Sequence, residues 1–322
     1  MKISHALRGF CLLFMVVGFG ANAVAAQWPE RSIRVIIPWS PGGSTDIVGR
    51  LIAPEMGSRL KQQVIIDNRS GAGSIVGLQL ASQSPADGYT LLITSTAYGF
   101  LIDKATAKVD LVNSFDSVAS LGFSDGAFTV TPQLPVKSVK EFLALAKAKP
   151  GVLTYASSGI GGFPHLNTEL LKIKAGVDIL HVPFKGGGPA ATSVMSGNTQ
   201  LYFGSLPTVM SHVNSGRLKL LAVGSAQRNP KLPDIPTVGE TVPGYESSIW
   251  FGLFAPRGTP PAVMARLHAA VADALQSPAL LTKLDAQGAV PRKMSSAEFG
   301  SLMVSETAKW AEVIKVAGIK GE

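Results

Sequence analysis

The chain has 322 residues, of which 46% are hydrophobic and 16% are charged. This balance excludes an intrinsically disordered chain and supports one or two buried cores. The net charge is +8, but the basic residues are scattered rather than grouped, so a nucleic-acid-binding arm is not expected. A mild attraction for anionic solutes is the better interpretation.

Residues 1–26 have the pattern of a secretory signal peptide. Lys2 and Arg8 precede an apolar run over residues 9–20, and small residues follow up to Ala26. A membrane anchor is the alternative, but about 12 apolar residues are fewer than the roughly 20 that cross a bilayer. We therefore predict export to the periplasm and cleavage after Ala26. Cleavage removes the only cysteine, Cys11, so disulfides, thiol catalysis and cysteine metal sites are not expected.

Strands alternate with helices from the start of the predicted mature chain. The β-branched run 33–37 leads through the turn 40–44 into an amphipathic helix, and the unit recurs as a strand at 64–66, a turn at 68–73 and a helix at about 74–82. A third strand, 89–93, ends at Thr94-Ser95-Thr96. This alternation predicts a parallel sheet covered on both faces.

The middle of the chain predicts a second α/β unit. A strand at 153–156 leads through the loop 157–162 into a helix at about 166–174, and a strand at 181–184 leads through the loop 185–188 into another helix. Extended segments at about 126–131 and 245–255 are predicted to cross between the units, and helices at 261–275 and 297–314 to pack on the first. We therefore predict an α/β, two-lobed periplasmic binding protein of the Venus flytrap type, in which each lobe is a sheet flanked by helices and a cleft lies between the lobes. The expected first lobe is 27–126 plus 247–322, and the expected second lobe is 127–246.

Glycine-rich turns follow the predicted strands of both lobes and precede helices. Open α/β sheets bind ligands at this position, where glycine permits close approach and the first helical amides are free to bind an anion. The nucleotide-binding glycine motifs and the Gly-x-Ser-x-Gly elbow are absent from the sequence. We therefore interpret Ser44, Ser95, Ser157 and Ser158 as hydroxyl donors or helix caps rather than as nucleophiles.

Several residues admit two interpretations. His165 and Glu169 share a helix face, but two groups are too few for a metal site, so we interpret them as a solvated or capping pair and expect no metal. Asp46 could be a general base, although its place in a first helical turn favours a structural role. Lys185 could face a ligand or solvent. Among the aromatic residues near the turns (Trp39, Tyr98, Phe163 and Phe184), we favour the cleft over the core for Trp39 and Phe184.

The motif Ile37-Pro38-Trp39-Ser40-Pro41-Gly42-Gly43-Ser44-Thr45-Asp46 resembles the signature of the Bug receptors, the substrate-binding proteins of tripartite tricarboxylate transporters. Further segments resemble the same family in the same order, over essentially the whole mature chain: 68–73, 87–92, 155–159, 181–186, 232–237 and 243–246. The resemblance implies a two-lobed receptor that closes on a carboxylate-bearing solute and presents it to a membrane permease.

The resemblance implies that loops of both lobes grip the carboxylate, mainly through backbone amides and waters. With the turns above it gives these candidate ligand-binding residues: Trp39, Ser40, Gly42, Gly43, Ser44, Asp46, Ser95, Thr96, Ser157, Ser158, Gly159, Phe184, Lys185, Gly186, Gly187 and Ser205. Two segments depart from the family pattern. Phe203-Gly204-Ser205 stands where many relatives have an aspartate, which argues against an α-amino acid ligand, and Ser95-Thr96-Ala97-Tyr98 is atypical.

The function expected from the sequence is binding without catalysis, by a monomer that uses no cofactor. Its expected partners are a small carboxylate and the permease of a tripartite tricarboxylate-type transporter. Two alternatives stay open: a receptor that signals its ligand to a two-component sensor kinase, and a periplasmic hydrolase that uses Asp46 or the serines.

Overall fold

The computed structural model describes residues 28–96 and 108–320. The predicted signal peptide and Tyr98 lie outside this part of the chain. The first lobe opens with two strand–helix units and a third strand: β1 (Ile33–Ile37), α1 (Ser44–Leu60), β2 (Val64–Asn68), α2 (Ile75–Ser82) and β3 (Thr90–Ser95). Strand β1 lies between β2 and β3 and is parallel to both.

Two further strands make the first sheet mixed rather than parallel. They are β4 (Phe115–Val130) and β9 (Ser248–Pro256), and the order is β2-β1-β3-β9-β4 with β9 antiparallel to both neighbours. The prediction of an all-parallel sheet was wrong here because β9 enters from the second lobe rather than through a covering helix.

The second lobe has the same alternation. Its elements are α3 (Val139–Ala148), β5 (Thr154–Ser157), α4 (Phe163–Ala175), β6 (Leu180–Pro183), α5 (Gly187–Met195), β7 (Leu201–Ser205), α6 (Leu206–Asn214) and β8 (Lys219–Val223). Strands β6, β5 and β7 are parallel, whereas β4 pairs antiparallel with β7 on one edge and β8 on the other.

The chain ends on the first lobe with α7 (Pro261–Ala274), α8 (Pro278–Ala286), β10 (Ala289–Val290) and α9 (Ser296–Val316). Val263 and Leu267 of α7 pack in the cluster that contains Ile33 of β1, and Phe299 of α9 packs in the cluster that contains Ile36. The last helices therefore cover opposite faces of the first sheet, because successive residues of β1 point to opposite sides.

The lobes are joined where β4 changes partner. Its residues up to Asp125 pair with β9, and those from Gly126 onward pair with β7 and β8. The returning chain lies alongside, since Gly224 N–H donates to Gly126 O and Ser247 N–H donates to Gly224 O, both at 2.8 Å. A Cβ on Gly224 would lie 2.4 Å from Ser247 Oγ, so only glycine fits there.

This change of partner supports the lobe boundaries expected from the sequence, which we keep as a proposal: 27–126 plus 247–322, and 127–246. None of the helices in the described part of the chain is both long enough and apolar enough to cross a membrane.

Candidate ligand-binding site

A small cavity lies between the lobes, at the carboxyl ends of strands β1, β3, β5 and β7. Loops and strands of both lobes line it. Eight of the sixteen sequence-predicted residues are in this lining: Trp39, Gly43, Ser44, Ser95, Thr96, Ser158, Gly187 and Ser205. The cavity therefore occupies the position where open α/β sheets bind their ligands.

Four helices begin at the cavity. Ser44 and Thr45 open α1, Phe163 and Pro164 open α4, Gly187 opens α5, and Ser205 precedes α6. None of these four helices has a side chain that caps its first turn. Because first-turn amides have no acceptor inside a helix and the helix dipole is positive there, four such ends around one cavity favour an anion.

Two buried donors in the lining lack a partner. Trp39 Nε1 and Thr96 Oγ1 make no hydrogen bond within the described part of the chain, and the two residues are 5% and 0% exposed. Leaving a buried donor unpaired costs about 1–3 kcal/mol, so either water or a polar ligand in the cavity is a favourable partner for these two groups.

Among the described residues, the lining offers hydroxyl groups and carries no ionised side chain. Thr45 Oγ1 and Ser95 Oγ lie 2.9 Å apart, and Ser205 Oγ and Thr208 Oγ1 lie 3.4 Å apart. Burial raises the pKa of the Tyr202 phenol, so this lining residue stays neutral at physiological pH. Amide and hydroxyl donors alone would hold an anion here, through hydrogen bonds of roughly 1.5–3 kcal/mol each.

Other predicted residues lie where the lobes touch, beside the cavity. Ser40 donates to the carbonyl oxygen of Lys185 from both its backbone N–H (3.2 Å) and its Oγ (2.7 Å). The Lys185 side chain is exposed and is not among the residues that line the cavity. Gly186 lies against Ser40, Gly42 against Gly188, and Gly159 against Gly73.

Asp46 and Ser157 are not in the cavity lining, and each accepts a hydrogen bond from a backbone amide of a loop beside the cavity. Asp46 accepts from Gly42 N–H (3.0 Å), Arg50 Nε (2.9 Å) and Asn68 Nδ2 (3.0 Å). All three partners of Asp46 are thus groups of this chain. The Asp46 carboxylate fixes the turn before α1, as expected for an acidic residue in a first helical turn.

Ser157 lies 2.6 Å from His181, between Oγ and Nε2, which is the spacing of a nucleophile and its base. Ser157 is nevertheless fully buried, accepts from Gly159 N–H at 3.1 Å, and does not line the cavity. This pair therefore holds the start of a loop, and a substrate in the cavity does not reach it.

The interpretation of His165 and Glu169 as a solvated or capping pair was wrong. They are 5% and 9% exposed, and they belong to a buried group with Tyr155, His181 and Lys172. Tyr155 Oη donates to Glu169 Oε1 at 2.6 Å, and Lys172 Nζ lies 2.8 Å from the same oxygen. Within residues 28–96 and 108–320, no three His, Cys, Asp or Glu side chains are grouped as metal ligands.

Phe184 faces a second, more open depression instead of the cavity. That depression also contains Pro41, Gly42 and His212, and the Phe184 ring packs at the edge of the core formed by α5, α6 and β7. Trp39, by contrast, reaches both the cavity and the core of the first lobe.

Sequence reasoning missed part of the lining. Pro164, Tyr202, Thr208 and Ile249 also face the cavity, and Phe163 was named only as an aromatic residue near a turn. Tyr202 and Ile249 lie within strands, where the sequence carries a core signal. Thr208 is three residues beyond Ser205, and the spacing of a first helical turn could have identified it.

Comparison with known proteins agrees with the family resemblance found in the sequence. Residues 48–319 match the family described as "Tripartite tricarboxylate transporter family receptor". The chain is also similar to Protein BugT of Bordetella pertussis (strain Tohama I), with 32% identity over 324 residues that cover 99% of each chain.

Two solved structures of similar proteins contain a ligand. The structure of Rhodopseudomonas palustris Rpa4515 with adipate has a TM-score of 0.86 and 35% identity, and covers 91% of this chain and 99% of its own. MatC (Rpa3494) from Rhodopseudomonas palustris with bound malate has a TM-score of 0.85 and 30% identity, and covers 89% of this chain and 100% of its own. The two-lobed α/β fold predicted from the sequence is thereby confirmed, and the chain belongs to the tripartite tricarboxylate transporter receptor family, a family of periplasmic solute-binding proteins.

Proposed function

We propose that this chain is exported through its N-terminal signal peptide and captures a small carboxylate-bearing solute between its lobes, without catalysis. The loaded receptor then delivers the solute to the membrane permease of a tripartite tricarboxylate-type transporter. The observation that carries the proposal is the meeting of four helix N-termini without side-chain caps at one cavity that lies between the lobes.

The proposal assigns the carboxylate to the amide-rich side of the cavity. The starts of α1 and α5 lie against each other there, since a Cβ on Gly43 would lie 3.4 Å from Gly187 N. One carboxylate group could therefore accept from both lobes at once, which would favour the closed arrangement over the open one. Thr96 and Trp39 would add their unpaired donors.

The cavity is small, which favours a small solute. Malate in MatC and adipate in Rpa4515 are the ligands named for two similar structures, so short aliphatic dicarboxylates are the first compounds to test.

The test is a thermal-shift and calorimetric titration of purified protein lacking residues 1–26. The panel is malate, succinate, adipate and benzoate, with dimethyl adipate as an uncharged control of matched shape. A ligand that binds only the folded state at 100 times its Kd stabilises it by about 2.7 kcal/mol, so at least one carboxylate should raise Tm and the diester should not. A flat response to the whole panel contradicts the ligand class.

The absence of catalysis has its own test. The bound acid, and benzyl esters of the same acids, are incubated with saturating protein and then analysed by mass spectrometry. We expect each compound to be recovered unchanged, because Ser157 is closed off from the cavity. Turnover would contradict this part of the proposal.

A further inference from the structure

A stack of aromatic rings lies directly beneath the loop that joins β5 to α4. The imidazoles of His165 and His181 are 4.1 Å apart with an interplanar angle of 11°, and the Tyr155 ring lies 4.8 Å from His181 and 6.4 Å from His165. The loop above the stack, residues 158–162, supplies Ser158 to the cavity and is followed by Phe163 and Pro164, which line it too.

Each imidazole holds one end of this loop. His181 Nε2 lies 2.6 Å from Ser157 Oγ, at the residue just before the loop. His165 Nδ1 lies 3.1 Å from Gly161 N and accepts its hydrogen. Because an imidazole nitrogen accepts only when it carries no proton, this contact requires neutral His165 with its hydrogen on Nε2.

We propose that His165 is a positioning residue for ligand binding: by accepting the amide hydrogen of Gly161 from below, it fixes the β5–α4 loop, and with it Ser158 and the start of α4, at the cavity. The importance of this loop for ligand rests on the proposed function, whereas the contact itself does not. Nothing else in the described chain gives Gly161 N–H a side-chain acceptor, since α4 begins after Gly162, which has no side chain to cap it.

The surroundings of His165 keep it in the accepting form. Burial, together with the smaller effect of the Lys172 ammonium, lowers its pKa to about 4. The groups that face the stack are Tyr155 on β5, His181 on β6, and Glu169 and Lys172 on α4. Glu169 is already engaged by Tyr155 and Lys172, so it does not draw a proton onto His165.

Two variants separate the hydrogen bond from the packing. His165→Phe keeps an aromatic ring on His181 but leaves Gly161 N–H unpaired, whereas His165→Asn loses the ring and keeps an acceptor near the position of Nδ1. His268→Phe is the matched control, since His268 is a half-buried histidine of the first lobe bonded to Val118 O and remote from the cavity lining.

The first measurement needs no ligand. Nitrogen-15 chemical shifts of the His165 ring should report a bare Nδ1 and a protonated Nε2, and the amide signals of Ser158 and Gly161 should move in His165→Phe and return toward wild type in His165→Asn. A proton on Nδ1, or unmoved loop amides, would overturn the proposal. This arm stands even if the wild-type protein binds no carboxylate, which would contradict the proposed function instead.

The second measurement is calorimetry with malate and adipate. We expect His165→Phe to weaken the wild-type affinity about tenfold or more, and His165→Asn and His268→Phe to stay within about threefold. Between pH 7 and pH 4.5 the wild type and His165→Asn should lose affinity in parallel, because His165, with a pKa of about 4, stays mostly neutral over this range and protonation of the acid affects both proteins alike. Wild-type affinity in His165→Phe, whatever its Tm, would reduce His165 to a core residue and refute the proposal.

Discussion

The helices that meet at the cavity and several helices that lie away from it begin in different ways. Ser138 caps α3, Ser277 caps α8, and Ser295 forms a capping box with Glu298 at the start of α9. At the cavity, α1, α4, α5 and α6 begin with no side-chain cap. Helices α2 and α7 are also uncapped and lie elsewhere; α2 continues from a 3₁₀ turn, and α7 begins at a proline, a residue that α4 and α6 also carry in their first turns.

Capped helix ends contribute to stability, whereas uncapped helix ends keep amides that an anion can bind. A side-chain cap contributes about 1 kcal/mol to stability and occupies the amides that would otherwise bind an anion. Leaving four helix ends uncapped at one place therefore gives up some stability of the free protein in exchange for donors that a ligand can use.

The largest effect should come from filling the space between two opposed helix ends. Gly43 has an extended backbone, so Gly43→Leu should fold, but its side chain would press against Gly187 where the lobes touch. We expect binding of malate and adipate to fall by about 1,000-fold or more, equivalent to about 4 kcal/mol. Calorimetry would measure it, with Gly300→Leu on α9 as the matched glycine control; near-wild-type affinity for Gly43→Leu would place the ligand elsewhere.

Acidification should lower the stability of the fold by protonating His165, the buried histidine that holds the loop before α4. The folded-state pKa of His165, about 4, lies below its ordinary value of 6.5, so the unfolded chain takes up the proton first. Stability from this group is thus complete above about pH 6.5 and is lost as the pH falls towards 4, by about 2–3 kcal/mol at 1.4 kcal/mol per pKa unit.

Urea unfolding of wild type and His165→Asn at pH 7, 6, 5 and 4.5 would measure this loss. The free energy of unfolding should fall more steeply in wild type, because the variant lacks the buried base while its carboxylates titrate in the same way. Parallel curves would show that His165 is not held neutral.

Adding a side-chain cap to α6 should make this helix end at the cavity resemble the capped helix ends elsewhere. Ser205→Asp would place a carboxylate at the N-cap of α6, raising Tm by about 2 °C as a stabilising cap. It should weaken carboxylate binding about 10- to 100-fold by repulsion. Ser205→Asn is the matched control, since it can cap without charge and should leave the affinity much closer to wild type. Equal losses in both variants would indicate a steric effect and not an electrostatic one.

Removing a side-chain cap far from the cavity should have the smallest effect. It should lower stability and leave the ligand affinity unchanged. Ser295→Ala deletes the capping box of α9 and should cost about 1 kcal/mol in the free energy of unfolding. Calorimetry should find the affinity for malate and adipate unchanged. A loss of affinity together with stability would mean that the two kinds of helix end are not independent.

The loops of the site were readable in the sequence, because glycine turns after β-branched strands have a direct physical meaning. Gly43, Ser44, Ser158 and Gly187 were predicted from that signal, and the structure puts all four in the cavity lining. Whether they bind ligand stays a prediction.

The side chains that complete the lining were less readable. Tyr202 lies on β7, where an aromatic residue predicts a core position, and the structure indeed gives it both a core contact and a cavity face. Asp46, Ser157 and Lys185 share the glycine loops with true lining residues, and sequence spacing does not reveal which way a loop side chain points.

The first half of β4 escaped prediction for a related reason. Asp116, Ser117, Ser120 and Ser124 interrupt its apolar pattern, although Ser120 and Ser124 are buried in the structure. Ser124 Oγ donates to Gly288 O at 2.6 Å, a partner 164 residues away that no local pattern can supply. The crossing was therefore expected from residue 126, whereas the strand begins at Phe115.

The neutral lining of the cavity also bears on how a bound anion would leave. An anion paired with a buried lysine or arginine must be separated from a fixed countercharge before it can depart, and that separation is costly at low dielectric constant. In this cavity each amide or hydroxyl donor would exchange the departing oxygen for water as the lobes part, at a small net change in free energy per bond. Unloading would then break hydrogen bonds only, because the described lining residues hold no charged side chain with which the anion would pair.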